Sequence, residues 1–329
     1  MKKAIVLALV LLSACDRAAA PQDSFEVASK GLHSAAIDEN GEQLAIGSIW
    51  HGASYWRLSD YERLYNWNHK AEELTTVVAM DFSDSGQWLL SAAPHSMVLW
   101  NTQTGEGERY WSAPAEILDV ELNNRAQLAL LGLSDHSAVI FDVRNGGIKR
   151  SFAHNNRVRS VDLSANGSLA LTGSEDNYAR LWQAQSGELL NQIKHSEQVQ
   201  LVKLSDDGEL ALSVSKYDKA LVWRTKDASL LGEIPLRAER VKRGLHFTAA
   251  RFSSDNQWLL TGRPDQIVQL WQLQPLKEIK RWRLPKRNVW KPTSAAVIDL
   301  AFTSDKQNFV AVASNGIVHK LNLNDTSLF

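Results

Sequence analysis

A chain of 329 residues, 44% of them hydrophobic, carries ample apolar material for a large core, which excludes a disordered or small disulfide-framed protein. A formal net charge of −1 gives no global field toward nucleic acid. The single cysteine, Cys15, excludes an intramolecular disulfide, so packing alone must hold the fold.

Residues 1–14 read as a targeting segment. Lys2 and Lys3 precede an apolar run from Ala4 to Leu12, too short for a bilayer span of about 20 residues. The following Leu12-Ser13-Ala14-Cys15 resembles the lipobox of bacterial lipoprotein precursors. That resemblance implies cleavage before Cys15, diacylglyceryl and palmitate-type acyl groups on the new terminus, and a periplasm-facing protein held on a membrane. Ordinary secretion, with cleavage in Ala18-Ala19-Ala20, is the alternative. Asp16 resembles the retention signal of inner-membrane lipoproteins, although Arg17 is not its usual partner, so the inner membrane is favoured over the outer. Residues 15–23 are expected to be lipidated cysteine and linker, with 16–24 spanning about 30 Å when extended.

From residue 24 to 329 one unit recurs. Turn-forming tracts follow Ile37, Phe82, Leu122, Leu163, Leu204, Phe252 and Phe302. A period of roughly 40–45 residues means a supersecondary unit stacked on copies of itself. Each unit predicts four short strands. The first ends at the apolar residue before the tract. The second is small and apolar throughout, as in Leu128-Ala-Leu-Leu131, the pattern of a strand covered on both faces. The third ends on Trp56, Trp100, Phe141, Trp182, Trp223, Trp271 or Leu321. Seven such sheets arranged radially bury each other's faces. Each buried indole contributes at most about 4–6 kcal/mol. The last unit has room for only three strands, so Phe25–Ser29 is expected to supply the fourth and close the ring. The fold class is therefore all-β, a seven-bladed propeller of four-stranded antiparallel blades closed by an N-terminal strand.

These residues resemble the WD-repeat family. The resemblance is best in the fourth unit, where His154, Thr172, Asp176 and Trp182 fall at the family's hydrogen-bonded structural tetrad. It implies a non-catalytic protein–protein interaction scaffold. The sequence holds no HExxH, paired CxxC, GxSxG or phosphate-cradling glycine loop, so no catalytic residue, metal or cofactor is assigned. An enzyme (lyase or hydrolase) or a small-ligand-binding protein using the central tunnel is the alternative. Converging acids and histidines would favour the first, a deep apolar pocket the second.

Candidate partner contacts come from two signals. Trp50 and Tyr217 stand where the WD-repeat family, which the chain resembles, usually places a structural aspartate. Residues 230–292 carry thirteen Lys/Arg against five Asp/Glu, including Arg240, Arg243, Arg263, Lys286 and Arg287, with Trp290 among them. The expectation is a basic, aromatic-dotted patch for an acidic envelope protein segment or lipid headgroups, with no role for nucleic acid.

Overall fold

A computed structural model describes residues 18–49, 51–69, 74–236, 246–287 and 295–326. The described residues form 28 strands in seven four-stranded antiparallel sheets, without a helix among them. Blades 1 to 6 take their strands in chain order over 32–67, 79–112, 117–153, 158–194, 199–235 and 249–283. Blade 7 combines Val297–Phe302, Asn308–Ala313 and Ile317–Asn322 with Asp23–Glu26 from the other end of the chain. Successive inner strands touch all the way round, including Leu32–Ile37 with Val297–Phe302, so the ring is closed.

The turn tracts form as their composition demands. In blade 4 the Ser164 hydroxyl accepts the Leu169 N–H at 2.9 Å, and Gly167 adopts φ 71°. Ser205 and Ser253 do the same for Leu210 and Trp258, at 2.9 and 3.0 Å. Asp38 and Asn123 substitute their side-chain oxygens, receiving Gln43 N–H and Leu128 N–H at 2.9 Å. Each second strand then lies between neighbours on both faces, and Leu128–Leu133 is buried at every residue but the first. At Gly132 in that strand a Cβ would stand 2.8 Å from the Val158 carbonyl of the next blade, so only glycine permits this approach.

Trp223 and Trp100 are buried in the third-strand column, whereas Trp56, Trp182 and Trp271 are half-buried. Two of the most buried indoles lie instead in outer strands. Trp67 stacks on Trp100 at 5.3 Å and donates to Gly105 O at 3.0 Å. Trp282 packs on Phe309 at 5.3 Å and donates to Asn322 O at 3.3 Å. Both reach the next blade, so the outer strands also bind the ring together.

The closing strand is present but begins earlier than expected, at Asp23 rather than Phe25, and pairs with Ile317–Lys320. Phe25 stacks on Tyr61 of blade 1 at 4.4 Å. The segment before it is not a free linker. Ala18 and Ala19 are buried, and Ala19 exchanges two 2.9 Å hydrogen bonds with Arg281 O and Arg283 N of blade 6. Gln22 N–H then donates to Lys320 O at 2.8 Å. The expected 30 Å tether over 16–24 is thus corrected, because the sheet edge of blade 6 offers unpaired backbone groups that this segment satisfies.

Candidate functional site

The polar tetrad expected in blade 4 is only partly assembled. Trp182 Nε1 donates to Thr172 Oγ1 at 2.9 Å. Arg180 then intervenes, placing Nη1 2.6 Å from His154 Nδ1 and 2.7 Å from Asp176 Oδ2. His154 and Asp176 are left 3.7 Å apart, and His154 Nε2 is buried without a hydrogen-bond partner among the described residues. Burial, and then the Arg180 charge, push the His154 pKa down to about 4, so the imidazole is neutral and acts as no acid–base partner of Asp176. The relay is better formed in blades 2 and 5. His69 Nε2 and Trp100 Nε1 both meet Ser91 Oγ at 2.8 Å. His195 Nε2 and Trp223 Nε1 meet Ser213 Oγ at 2.8 and 3.3 Å. His69 lies 22 residues before its serine, across a longer connection, which hid it from the sequence reading. His195 lies 18 residues before Ser213, the same spacing as His154 before Thr172, and could have been found by it.

The central channel is the most charged place in the ring. The penultimate residues of the inner strands, from blade 1 to blade 7, are Ala36, Asp81, Glu121, Asp162, Lys203, Arg251 and Ala301. Lys203 Nζ crosses to Glu121 at 2.9 Å and Asp162 at 3.5 Å. Arg251 reaches the Ile37 carbonyl at 3.1 Å and Glu39 at 3.4 Å. Acids outnumber these two bases. Burial pushes Asp81 and Glu39 up to about 7 and Asp84 to about 6, and lifts Glu121 well above the usual range. Burial opposes the charge of Lys203, but Asp162, Glu121 and Asp81 outweigh it and hold the ammonium charged.

Most of these carboxylates are already engaged. Asp81 accepts Leu122 N–H at 2.7 Å, Asp119 accepts Val161 N–H at 2.9 Å, and Asp162 accepts Leu204 N–H. Asp299 accepts Ile37 N–H at 2.7 Å across the closure. Each bond runs from one inner strand to the next, so the acids brace neighbouring blades. Among the described residues no group of three or more His, Cys, Asp or Glu is arranged to hold a metal. The converging acids are accompanied by Lys203 and Arg251 rather than by histidines. A simple signal would have found this ring: the residue immediately before each apolar residue that opens a turn tract.

Of the expected patch only Tyr217, Arg263, Lys286 and Arg287 fall among the described residues. Trp50, Arg240, Arg243 and Trp290 lie outside the described residues. Arg263 is held by Asp265 in a two-bonded pair at 2.9 and 2.7 Å. Arg287 serves the closure, with its guanidinium donating to Ala28, Ser29 and Asn315 carbonyls and standing 3.2 Å from Glu26. Lys286 is exposed. Tyr217 is 44% exposed, with the His246 ring 6.4 Å away edge-on and Lys216 Nζ 5.1 Å above it. Its φ is 63°, a left-handed conformation costly for a bulky side chain. The corresponding turns of blades 3, 4, 6 and 7 place that conformation one residue later, on His136, Asn177, Gln266 and Gly316.

On the opposite, turn-tract face a groove of about 1080 Å³ runs over blades 7, 1 and 2. Its floor holds the buried Tyr55, Leu58 and Phe309, and its walls are amides and hydroxyls such as Gln43, Gln103 and Thr303.

The WD40 family model (WD domain, G-beta repeat) matches residues 146–183 and 244–272, that is, the outer strand of blade 3 with the inner three strands of blade 4, and the inner three strands of blade 6. Together with seven closed blades, this supports a WD-repeat β-propeller. Such propellers generally bind protein partners and are typically non-catalytic scaffolds. No curated protein matches the chain.

Proposed function

We propose that this chain is a lipid-anchored interaction scaffold of a bacterial cell envelope. In this reading Cys15 is the acylated residue, the propeller faces the periplasm from the inner membrane, and a protein partner docks on the face that carries Tyr217. The carrying observation is Tyr217 itself, a large exposed aromatic kept in a left-handed backbone conformation that neighbouring blades give to other residues. Strain of this kind persists where the side chain is needed in place, and exposed aromatics anchor interfaces. The internal use of the channel carboxylates supports a bracing rather than a catalytic role for that centre.

A photo-crosslinking amino acid at position 217, in intact cells, should yield a discrete adduct with an envelope protein. Tyr217→Asn should lose that partner while raising stability by about 1 kcal/mol through relieved strain. A variant that gains stability yet keeps its partner in full would remove Tyr217 from the interface. Acylation is checked by the mass of the N-terminal peptide, which a secreted, unmodified chain would lack.

A further inference from the structure

The described chain first meets the propeller at the rim of blade 6. Ala19 forms a parallel bridge with Trp282 of the outer strand Leu276–Arg283. Only Asp16 and Arg17 separate Cys15 from the docked Ala18, a reach of about 10 Å at full extension. If Cys15 carries lipid, as proposed above and as this inference assumes, the bilayer lies against this rim rather than against a loop face.

The outer strand at that point is unusually basic. It holds Lys277, Lys280, Arg281 and Arg283 against Glu278 alone. No other outer strand has more than two bases, and that of blade 7, Asp23–Glu26, is acidic. The nearby acids are occupied. Glu278 pairs with Arg281 at 2.7 Å, Glu26 with Arg287 at 3.2 Å, and Asp23 accepts the Tyr61 hydroxyl at 2.9 Å. Lys280 donates to the Asp325 carbonyl. Lys277 and Lys286 are exposed, and Ile279, at the bulge of the strand, is 40% exposed.

We infer that the rim of blade 6 is a membrane-contact edge for anionic phospholipid headgroups. Lys277 and Lys286 meet the phosphates, Ile279 enters the interface, and the disc stands edge-on with both loop faces open to partners. Basic residues near an acidic leaflet and a short acyl tether act in concert, each too weak alone to fix orientation.

Because Cys15 is the only cysteine, an introduced cysteine becomes the sole thiol once the anchor is formed. The full chain carrying Ile279→Cys, or Ile148→Cys on the exposed rim of blade 3, is labelled with a fluorophore. It is then reconstituted into phosphatidylglycerol-rich vesicles containing a nitroxide-headgroup lipid. Quenching at 279 should exceed that at 148 by about threefold or more, and Lys277→Glu/Lys286→Glu should abolish the difference, since each base near the surface changes partition by about fivefold. Equal quenching at the two positions overturns the lipid-facing rim, and a difference that persists unchanged in phosphatidylcholine vesicles overturns its recognition of anionic headgroups. A 279 crosslink in cells to an acidic protein, with no selective quenching, does the same and identifies a protein occupant. The N-terminal peptide mass is read on the same sample. Missing acyl chains sink the anchor reading by themselves, and the rim is then read in a chain that also carries Cys15→Ser, where selective quenching at 279 would still uphold it.

Discussion

Ser213 and Thr172 occupy one register position in blades 5 and 4, yet their hydroxyls carry different loads. Ser213 meets both His195 and Trp223, whereas Thr172 receives Trp182 alone because Arg180 has drawn His154 away. Removing a hydroxyl that satisfies two buried groups leaves both unpaired, at about 1–3 kcal/mol. Ser213→Ala should therefore lower the urea midpoint more than Thr172→Val does. Equal losses would show that the His195 bond contributes little. The aligned spacing of Thr172 and Trp182 was legible in the sequence. The intrusion of Arg180 was not, because it depends on where a long side chain of the third strand comes to lie between two loops.

At the level of strands and their connections, the closure is the decisive element. Asp23–Glu26 supplies the outer strand of blade 7, and Arg287 fastens the loop that follows it, through the Ala28 and Ser29 carbonyls and Glu26, to the Asn315 carbonyl of the blade 7 turn. Arg263, by contrast, answers only a neighbouring half-exposed carboxylate. Arg287→Met should destabilise by about 2–3 kcal/mol and make residues 18–29 the first site of limited proteolysis. Arg263→Met should cost under about 1 kcal/mol. Matching protease patterns in the two variants would contradict this division. Composition marked both arginines as part of one basic stretch. Only the path of the chain end separates the clamp from the surface residue, and only that path shows residues 18–22 docked rather than free.

For the ring as a whole, two sets of buried groups oppose each other in their pH dependence. Burial lowers His69, His154, His195 and His319 to about 4. Their contribution to stability is complete above the unfolded value near 6.5 and is lost as pH falls toward 4. The channel acids behave in reverse. Asp81 and Glu39 stand near 7 and Asp84 near 6, so their contribution is complete below about 4 and is lost as pH rises through 6–7. Asp81→Asn keeps an acceptor for Leu122 N–H but no longer titrates. Its melting temperature relative to the parent should rise between pH 5 and pH 8. A constant difference across that range would place the Asp81 proton outside this balance.

The sequence by itself determined the blade. Turn chemistry, two-sided apolar second strands and the aromatic column act within some forty residues, and local backbone preference together with the burial pattern is enough to specify them. It also determined the number of blades and the need for a closing strand. The repeat marked which residue of each inner strand stands at the centre, but the tertiary structure alone decided which of them meet and what stands at the edge. Ala36, Asp81, Glu121, Asp162, Lys203, Arg251 and Ala301 become neighbours only when seven inner strands are drawn into a circle, and the basic strand of blade 6 becomes the point of entry only when Ala19 pairs with it. Contacts between residues hundreds of positions apart follow from ring closure, which no local pattern encodes.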